Sequence, residues 1–128
     1  MMEKLIVTAG MPRSGSTLLY NTVRLLLERT GKLDIGAGWI SDFNSFKNHD
    51  LVILKIHSYE PVIANNAAMI LYSYRDIRDA LASFKRKFGI EPTIDRARKF
   101  IVNDKNWREK SPFIMKYEDM IASQEETA

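Results

Sequence analysis

Four short stretches of the chain are almost continuously apolar and rich in β-branched or aromatic residues. They read KLIVTA, LVILKI, MILYSY and PFIMKY, at residues 4–9, 51–56, 69–74 and 112–117. Short apolar runs without strict alternation of apolar and polar positions are typical of strands that are buried on both faces of a sheet. We therefore predict four buried strands.

Between the strands, apolar residues recur at helical spacing. Residues 16–29 follow such a pattern, and Gly31 is positioned to end this first helix. Asp76 is expected to cap another helix, because an aspartate there can accept a hydrogen bond from a first-turn N–H group. Gly89 is expected to end that helix. Its apolar positions follow the i, i+3, i+4, i+7, i+11 pattern: Ile77, Ala80, Leu81, Phe84 and Phe88.

Three further helices are predicted by weaker signals. Pro61 suits the first turn of a short helix over residues 60–66, and residues 118–128 are expected to start a last helix. Thr93 is expected to begin the remaining one. Four of its residues are predicted to face inward: Ile94, Ala97, Phe100 and Ile101.

The segment between the first two predicted strands is different in character. Residues 34–50 are rich in glycine, asparagine and serine, so we predict an irregular segment with a short helix around residues 41–47. Its aromatic residues are expected to anchor a satellite core, with the lining of an acceptor pocket as the alternative. They are Trp39, Phe43 and Phe46.

Buried strands that alternate with helices predict a parallel sheet with helices on both faces. The expected fold class is therefore α/β, a three-layer sandwich with a central parallel β-sheet, similar to the P-loop NTPases. The chain shows no repeat, low-complexity tract or linker. We expect a single domain over residues 1–128.

Composition excludes several kinds of site. The chain contains no cysteine, so disulfide frameworks, thiolate metal sites and cysteine nucleophiles are excluded. The first apolar run is too short for the core of a signal peptide, and no apolar stretch is long enough for a transmembrane helix. These features predict a cytoplasmic protein with no membrane partner.

The formal net charge of +3 suits an anionic small-molecule ligand. The basic excess is concentrated between Lys85 and Lys110. A solvated helix face is favoured there over a nucleic-acid-binding patch, because no zinc-finger spacing, RNA-binding aromatic signature or long basic run is present. We expect no nucleic-acid partner.

The loop after the first predicted strand, within TAGMPRSGSTLLYN, resembles a phosphate-binding P-loop with one change. Gly10 and Gly15 have the G-x-x-x-x-G spacing and Thr17 stands at the Ser/Thr position, but Ser16 replaces the lysine. Backbone N–H groups and the following helix N-terminus favour an anion, and Arg13 adds a planar fork of donors. A tight turn with an N-cap serine is the alternative.

Ligands of open parallel α/β sheets bind beyond the carboxyl ends of the strands. Lys55 and His57 lie at the end of the second predicted strand, Arg75 follows the third, and Tyr117 closes the fourth. No carboxylate is placed among them to hold Mg²⁺ unless Asp76 or Glu118 turns inward. The edge therefore suits an anion held by protein groups, with no metal.

His57 is a candidate general base, with a structural histidine as the alternative. Alternation along an extended segment puts Lys55 on the same side as His57, and a nearby lysine charge favours the neutral imidazole that a base requires. A lysine that only extends its amine into solvent is the alternative for Lys55. Arg75 and Ser83 lie eight residues apart, about 12 Å if both are helical, so they could close on one phosphate from two sides. An exposed arginine and a neutral helix serine are the alternative there.

Together, these motifs resemble those of the sulfotransferases that use 3′-phosphoadenosine 5′-phosphosulfate (PAPS). PRSGST resembles their 5′-phosphosulfate loop, LKIH their Lys-x-His segment, YRDIRDALASF their 3′-phosphate motif, and KYEDM the segment whose tyrosine lies near the adenine. The four occur in the family order from Thr8 to about Met120. Arg13 stands where many members carry lysine, and the arginine form is similar to that of tyrosylprotein and some carbohydrate sulfotransferases.

The resemblance implies in-line transfer of a sulfonyl group from PAPS, the co-substrate, to the hydroxyl or amine of a small-molecule, carbohydrate or peptide acceptor, without a metal. For catalysis it implies His57 as the base, with Lys55 and Arg13 offsetting charge on the bridging oxygen. The residues it implies for PAPS binding are Arg13, Ser14, Gly15, Ser16, Thr17, Arg75, Ser83 and Tyr117.

The chain departs from the family in two respects. Leu18 replaces a tryptophan that stacks on adenine in the cytosolic branch, and the C-terminal part of the family domain, with its basic segment, is expected to be missing. A reduced enzyme, a homo-oligomer or second chain that completes the domain, and a truncated non-catalytic module that binds PAPS or its product all stay open. A P-loop nucleotide kinase is a further alternative, disfavoured because the loop lysine is absent.

Overall fold

The computed structural model describes residues 5–31, 34–41, 49–110 and 112–127, with side chains described up to residue 122. Within these residues the chain forms five strands and five helices. The strands are β1 (Leu5–Gly10), β2 (Ile35–Trp39), β3 (Leu51–Ile56), β4 (Met69–Tyr74) and β5 (Phe113–Lys116). The helices are α1 (Ser16–Glu28), α2 (Pro61–Asn66), α3 (Ile77–Phe88), α4 (Ile94–Arg108) and α5 (Tyr117–Thr127).

All five strands pair in parallel, in the spatial order β2-β3-β1-β4-β5. β1 lies at the centre, where Thr8 is opposite Lys55 of β3 and Leu71 of β4. The carboxyl ends of the strands therefore meet at one edge of the sheet, as the α/β prediction requires.

The two faces of the sheet are covered by different helices. Alternate residues of β1, β3 and β4 form one buried cluster with Ile63 of α2 and the fully buried Trp107 of α4. On the opposite face Lys55, which is out of phase with that cluster along β3, reaches Thr17 of α1. The fold is thus α/β with a central parallel sheet flanked by helices, consistent with the predicted three-layer sandwich.

β2 corrects one prediction, because part of residues 34–50 was expected to be irregular and instead forms an edge strand. Its sequence, IGAGW, holds two glycines, which are uncommon in strands and conceal the pattern. Parallel pairing with β3 over the whole length of β2 supplies the backbone partners. Of the short helix expected around residues 41–47, only Ser41 lies within the described residues. Phe43 and Phe46 lie outside them.

The helix boundaries follow the predicted signals closely. Asp76 accepts a hydrogen bond from the Arg78 N–H at 2.8 Å and Thr93 accepts one from the Arg96 N–H at 3.1 Å. Gly89 ends α3 in the left-handed conformation, with φ of 68°. One boundary differs: Tyr117 was expected to close the last strand, and it begins α5.

The inward face of α4 was predicted only in part. Phe100 is buried and Ala97 packs beside it, whereas Ile94 and Ile101 are 72% and 52% exposed. The buried contacts of α4 run from Phe100 to Trp107, so its inward stripe is rotated from the predicted one. Phe88, at the end of α3, is also exposed.

β5 was expected to be a buried strand, and all four of its side chains are exposed. It lies at the edge of the sheet and pairs with β4 alone. No helix among the described residues combines the length and the apolar character that crossing a membrane requires.

Candidate active site

Ser14 anchors the loop between β1 and α1 through buried hydrogen bonds. Its hydroxyl donates to the Met11 carbonyl at 2.6 Å and lies 2.8 Å from the Ser73 hydroxyl, and its N–H donates to the same carbonyl. Ser14 is fully buried. Both of its donors are used within the protein. Ser14 was predicted to contact the ligand, and in the structure it anchors the loop instead.

Two residues of the loop adopt the left-handed conformation. They are Arg13, with φ of 67°, and Gly15, with φ of 84°; among the described residues Arg13 is the only one with positive φ that is not glycine. This conformation costs a non-glycine residue roughly 1–2 kcal/mol. Two side chains hold it: Arg75 donates to the Arg13 carbonyl at 3.0 Å, and Arg13 Nε donates to the Ser83 hydroxyl at 2.9 Å.

Gly15 is the N-cap of α1, and no side chain caps that helix end. The alternative of an N-cap serine is therefore wrong. The first N–H groups of a helix have no partner within the helix, and its dipole makes this end positive. Backbone donors and a favourable dipole thus converge on the mouth of the loop, which is an arrangement suited to an anion.

A cavity of about 130 Å³ opens at this mouth. Six of the predicted PAPS-binding residues line it: Arg13, Gly15, Ser16, Thr17, Arg75 and Tyr117. The Arg75 guanidinium stacks on the Tyr117 ring, 4.0 Å from its centroid, and Arg75 Nε is buried without a hydrogen-bond partner among the described residues. Such an unpaired buried donor costs about 1–3 kcal/mol, and the guanidinium that carries it adds positive charge to the cavity wall.

Ser83 lies beside this cavity without lining it. Its hydroxyl accepts from Arg13 and keeps its own proton for donation. Arg75 and Ser83 were predicted to act together, and the structure brings both to Arg13, one on its carbonyl and the other on its side chain.

His57 is fixed at both its backbone and its ring. Nδ1 lies 2.7 Å from the Gly10 carbonyl oxygen, and the Trp107 indole N–H donates to the His57 carbonyl at 3.1 Å. A carbonyl can only accept, so Nδ1 carries the proton and Nε2 holds the lone pair. Burial lowers the pKa of His57 below its usual value, the Gly10 hydrogen bond raises it in part, and the Lys55 charge lowers it further.

Lys55 connects the sheet to the start of α1. It is almost fully buried, its ammonium donates to the Thr17 hydroxyl, and it lies 4.6 Å above the Trp39 ring centroid. Burial lowers the pKa of Lys55, with a smaller contribution from Lys87. The alternative of a lysine that extends into solvent is therefore wrong.

Trp39 was expected to anchor a satellite core, with the lining of an acceptor pocket as the alternative, and the structure places it beside Lys55 and His57. It ends β2, stacks under Lys55, and meets the His57 ring edge-on with centroids 5.1 Å apart. The rule that ligand-binding residues follow strand ends would have found it, had β2 been recognised as a strand.

The arrangement combines a loop suited to an anion with an imidazole whose pKa is lowered and whose lone pair is on Nε2. In the described ranges, no three His, Asp or Glu side chains form a group that could hold a metal ion. Comparisons with protein families, with curated proteins and with solved structures gave no match for this chain.

Proposed function

We propose that this protein transfers a sulfonyl group from PAPS to the hydroxyl or amine of an acceptor. One observation carries the proposal: Gly10, which starts the anion-binding loop, also accepts the hydrogen bond that orients His57. The loop that would bind the anionic donor is thus hydrogen-bonded directly to the residue that would act as base for the acceptor. The P-loop NTPase-like version of the fold and a cytoplasmic location belong to the same proposal.

The cavity residues fit the anionic groups of PAPS. The N–H groups at the start of α1, with the Ser16 and Thr17 hydroxyls, would hold the 5′-phosphosulfate. Arg75, with its charged guanidinium at the cavity, and Ser83, with its remaining hydroxyl proton, would hold the 3′-phosphate. Tyr117 offers an aromatic surface for the adenine, with Arg75 stacked on one side of it.

His57 and the two cations have separate tasks in the reaction. As the acceptor oxygen or nitrogen bonds to sulfur, His57 Nε2 takes its proton, and the bond from sulfur to the 5′-phosphate oxygen breaks. Lys55 and Arg13 offset the negative charge that grows on that oxygen. The products are the sulfated acceptor and adenosine 3′,5′-bisphosphate.

Nucleotide preference tests the proposal against a P-loop kinase. In titration calorimetry, adenosine 3′,5′-bisphosphate in the presence of EDTA is expected to bind, and ATP with Mg²⁺ to bind far more weakly. A clear preference for ATP with Mg²⁺ would contradict the proposal.

A sulfate-transfer assay with a broad panel of hydroxyl and amine acceptors tests turnover itself. The non-catalytic alternative predicts bisphosphate binding without transfer to any acceptor. Measuring the mass of the protein in solution at the same time shows whether activity depends on a homo-oligomer.

A further inference from the structure

A second cavity, of about 220 Å³, has the catalytic candidate His57 in its wall. Its walls include Arg96, Lys99 and Asn103 of α4, and its apolar part is formed by Met11 and Phe100. The proposed function assigns no task to these residues apart from His57. The cavity is nevertheless where a molecule would meet the imidazole.

Within the described ranges, neither cation of this cavity forms an ion pair with a carboxylate. The Arg96 guanidinium lies over the Phe84 ring at 5.0 Å, and its Nε is buried without a hydrogen-bond partner among the described residues. Lys99 forms no ion pair with a described carboxylate. The acidic residues of α4 are engaged elsewhere, Asp95 with Arg98 and Asp104 with Arg108.

Asn103 adds a neutral donor to the same wall. Its Oδ1 accepts from the Tyr59 N–H at 2.8 Å, which fixes the orientation of the amide and leaves the NH₂ group to donate. Among the described residues, no acidic side chain lines the cavity. Its complement is therefore a molecule with a negative group for Arg96 and Lys99 and an apolar body for Met11 and Phe100.

We infer that the acceptor is a small anionic molecule, with a carboxylate or a comparable oxyanion close to its reactive hydroxyl or amine. This inference rests on the proposed function for the word acceptor, while the binding of the anion stands by itself. The volume is below the roughly 300–1,000 Å³ of common drug-sized sites, so one ring or a short chain fits. The anion would contact Arg96 and Lys99 while the reactive group meets His57 Nε2.

Direct binding tests this inference without PAPS. The probes are 4-hydroxybenzoate, 4-hydroxybenzenesulfonate and the neutral, similarly shaped 4-hydroxybenzamide, titrated into the full chain by calorimetry at neutral pH. At least one of the two anions is expected to bind about tenfold or more tighter than the amide, since hydrogen bonds to charged groups are the stronger ones. Equal binding of all three probes would overturn the inference.

Variants locate the effect on α4. Arg96→Gln and Lys99→Gln are each expected to remove most of the preference for the anion, and Arg98→Gln, a change of an exposed cation on the same helix, to leave it intact. Lys99→Gln serves even where loss of the Arg96 contact with Phe84 impairs folding, because Lys99 is exposed. An equal loss in Arg98→Gln would show general charge attraction and contradict the inference. Anion binding without PAPS binding would leave the cavity assignment standing and remove the proposed function.

Discussion

The carbonyl oxygen of Gly10 and Nδ1 of His57 lie 2.7 Å apart, although 47 positions separate the two residues in the chain. The bond fixes the tautomer of the imidazole and so leaves the lone pair on Nε2, which the proposed base requires. It also ties His57 to the first residue of the loop that would hold the sulfonyl donor. The relation between these two residues therefore aligns the two halves of the proposed reaction.

Replacement of His57 by alanine is expected to reduce turnover about 10²-fold or more, because general base catalysis contributes on that scale. Affinity for adenosine 3′,5′-bisphosphate should stay nearly unchanged, since His57 lines the other cavity. Sulfate-transfer kinetics and calorimetry measure the two effects. The chain has one other histidine, so His49→Ala is the matched control. Full turnover in His57→Ala would exclude His57 as the base.

The pH dependence of transfer should follow the lowered pKa of His57. Burial and the Lys55 charge keep the imidazole neutral below its usual value of 6.5, so kcat/KM should hold its plateau to below that pH and fall only in more acidic solution. Lys55→Met removes one of the two lowering causes and is expected to move the acidic limb upward. An acidic limb well above pH 6.5 in the unaltered protein would contradict this pKa assignment.

The same pKa shift has a consequence for stability. Between the folded pKa and 6.5 the unfolded chain binds more protons at His57 than the folded chain does, so the free energy of unfolding should decrease as the pH falls through this window. Urea unfolding at several pH values measures the effect. The slope should disappear in His57→Gln, and its persistence there would assign it to other groups.

Arg75 should matter for nucleotide affinity through its charge at the cavity and its stacking on Tyr117. Arg75→Gln removes charge-assisted hydrogen bonds worth about 1.5–3 kcal/mol, so adenosine 3′,5′-bisphosphate should bind about 10- to 100-fold more weakly. Arg78→Gln is the control, because Arg78 is almost fully exposed and pairs with Asp76. If both variants bound alike, Arg75 would have no specific part in the site.

The sequence predicts the centre of the fold better than its borders. β1, β3 and β4 are the inner strands, and their continuous apolar runs reflect burial on both faces. β2 and β5 are edge strands. β2 contains two glycines and β5 exposes every side chain, so neither shows the continuous apolar run of a strand that is buried on both faces. Trp39 ends β2, so its place at the site follows from a strand that the apolar pattern does not reveal.

Within the site, residue types were predictable and their partners were not. Strand ends indicated Arg13, Lys55, His57 and Arg75, since parallel strands bring their carboxyl ends to one edge. Hydrogen bonds between distant segments depend on the packed structure, as in the buried contact of the Ser14 hydroxyl with that of Ser73. The family resemblance therefore implied that Ser14 contacts the ligand, whereas its hydroxyl holds the loop in the packed structure.

Gly15 offers a test of how far α5 shapes the anion site. A Cβ at this position would lie 2.9 Å from Met120 Cε and 3.1 Å from a Tyr117 ring carbon, and φ of 84° is unfavourable for alanine. Gly89 has a similar φ of 68° with nothing within 4 Å of its added Cβ.

Both Gly15→Ala and Gly89→Ala should lose roughly 1–2 kcal/mol of unfolding free energy through backbone strain. Only Gly15→Ala should also weaken adenosine 3′,5′-bisphosphate binding, because it displaces Tyr117 from the cavity and Arg75 with it. Thermal unfolding and calorimetry separate the two effects, and unchanged nucleotide affinity in Gly15→Ala would mean that α5 takes no part in forming the site.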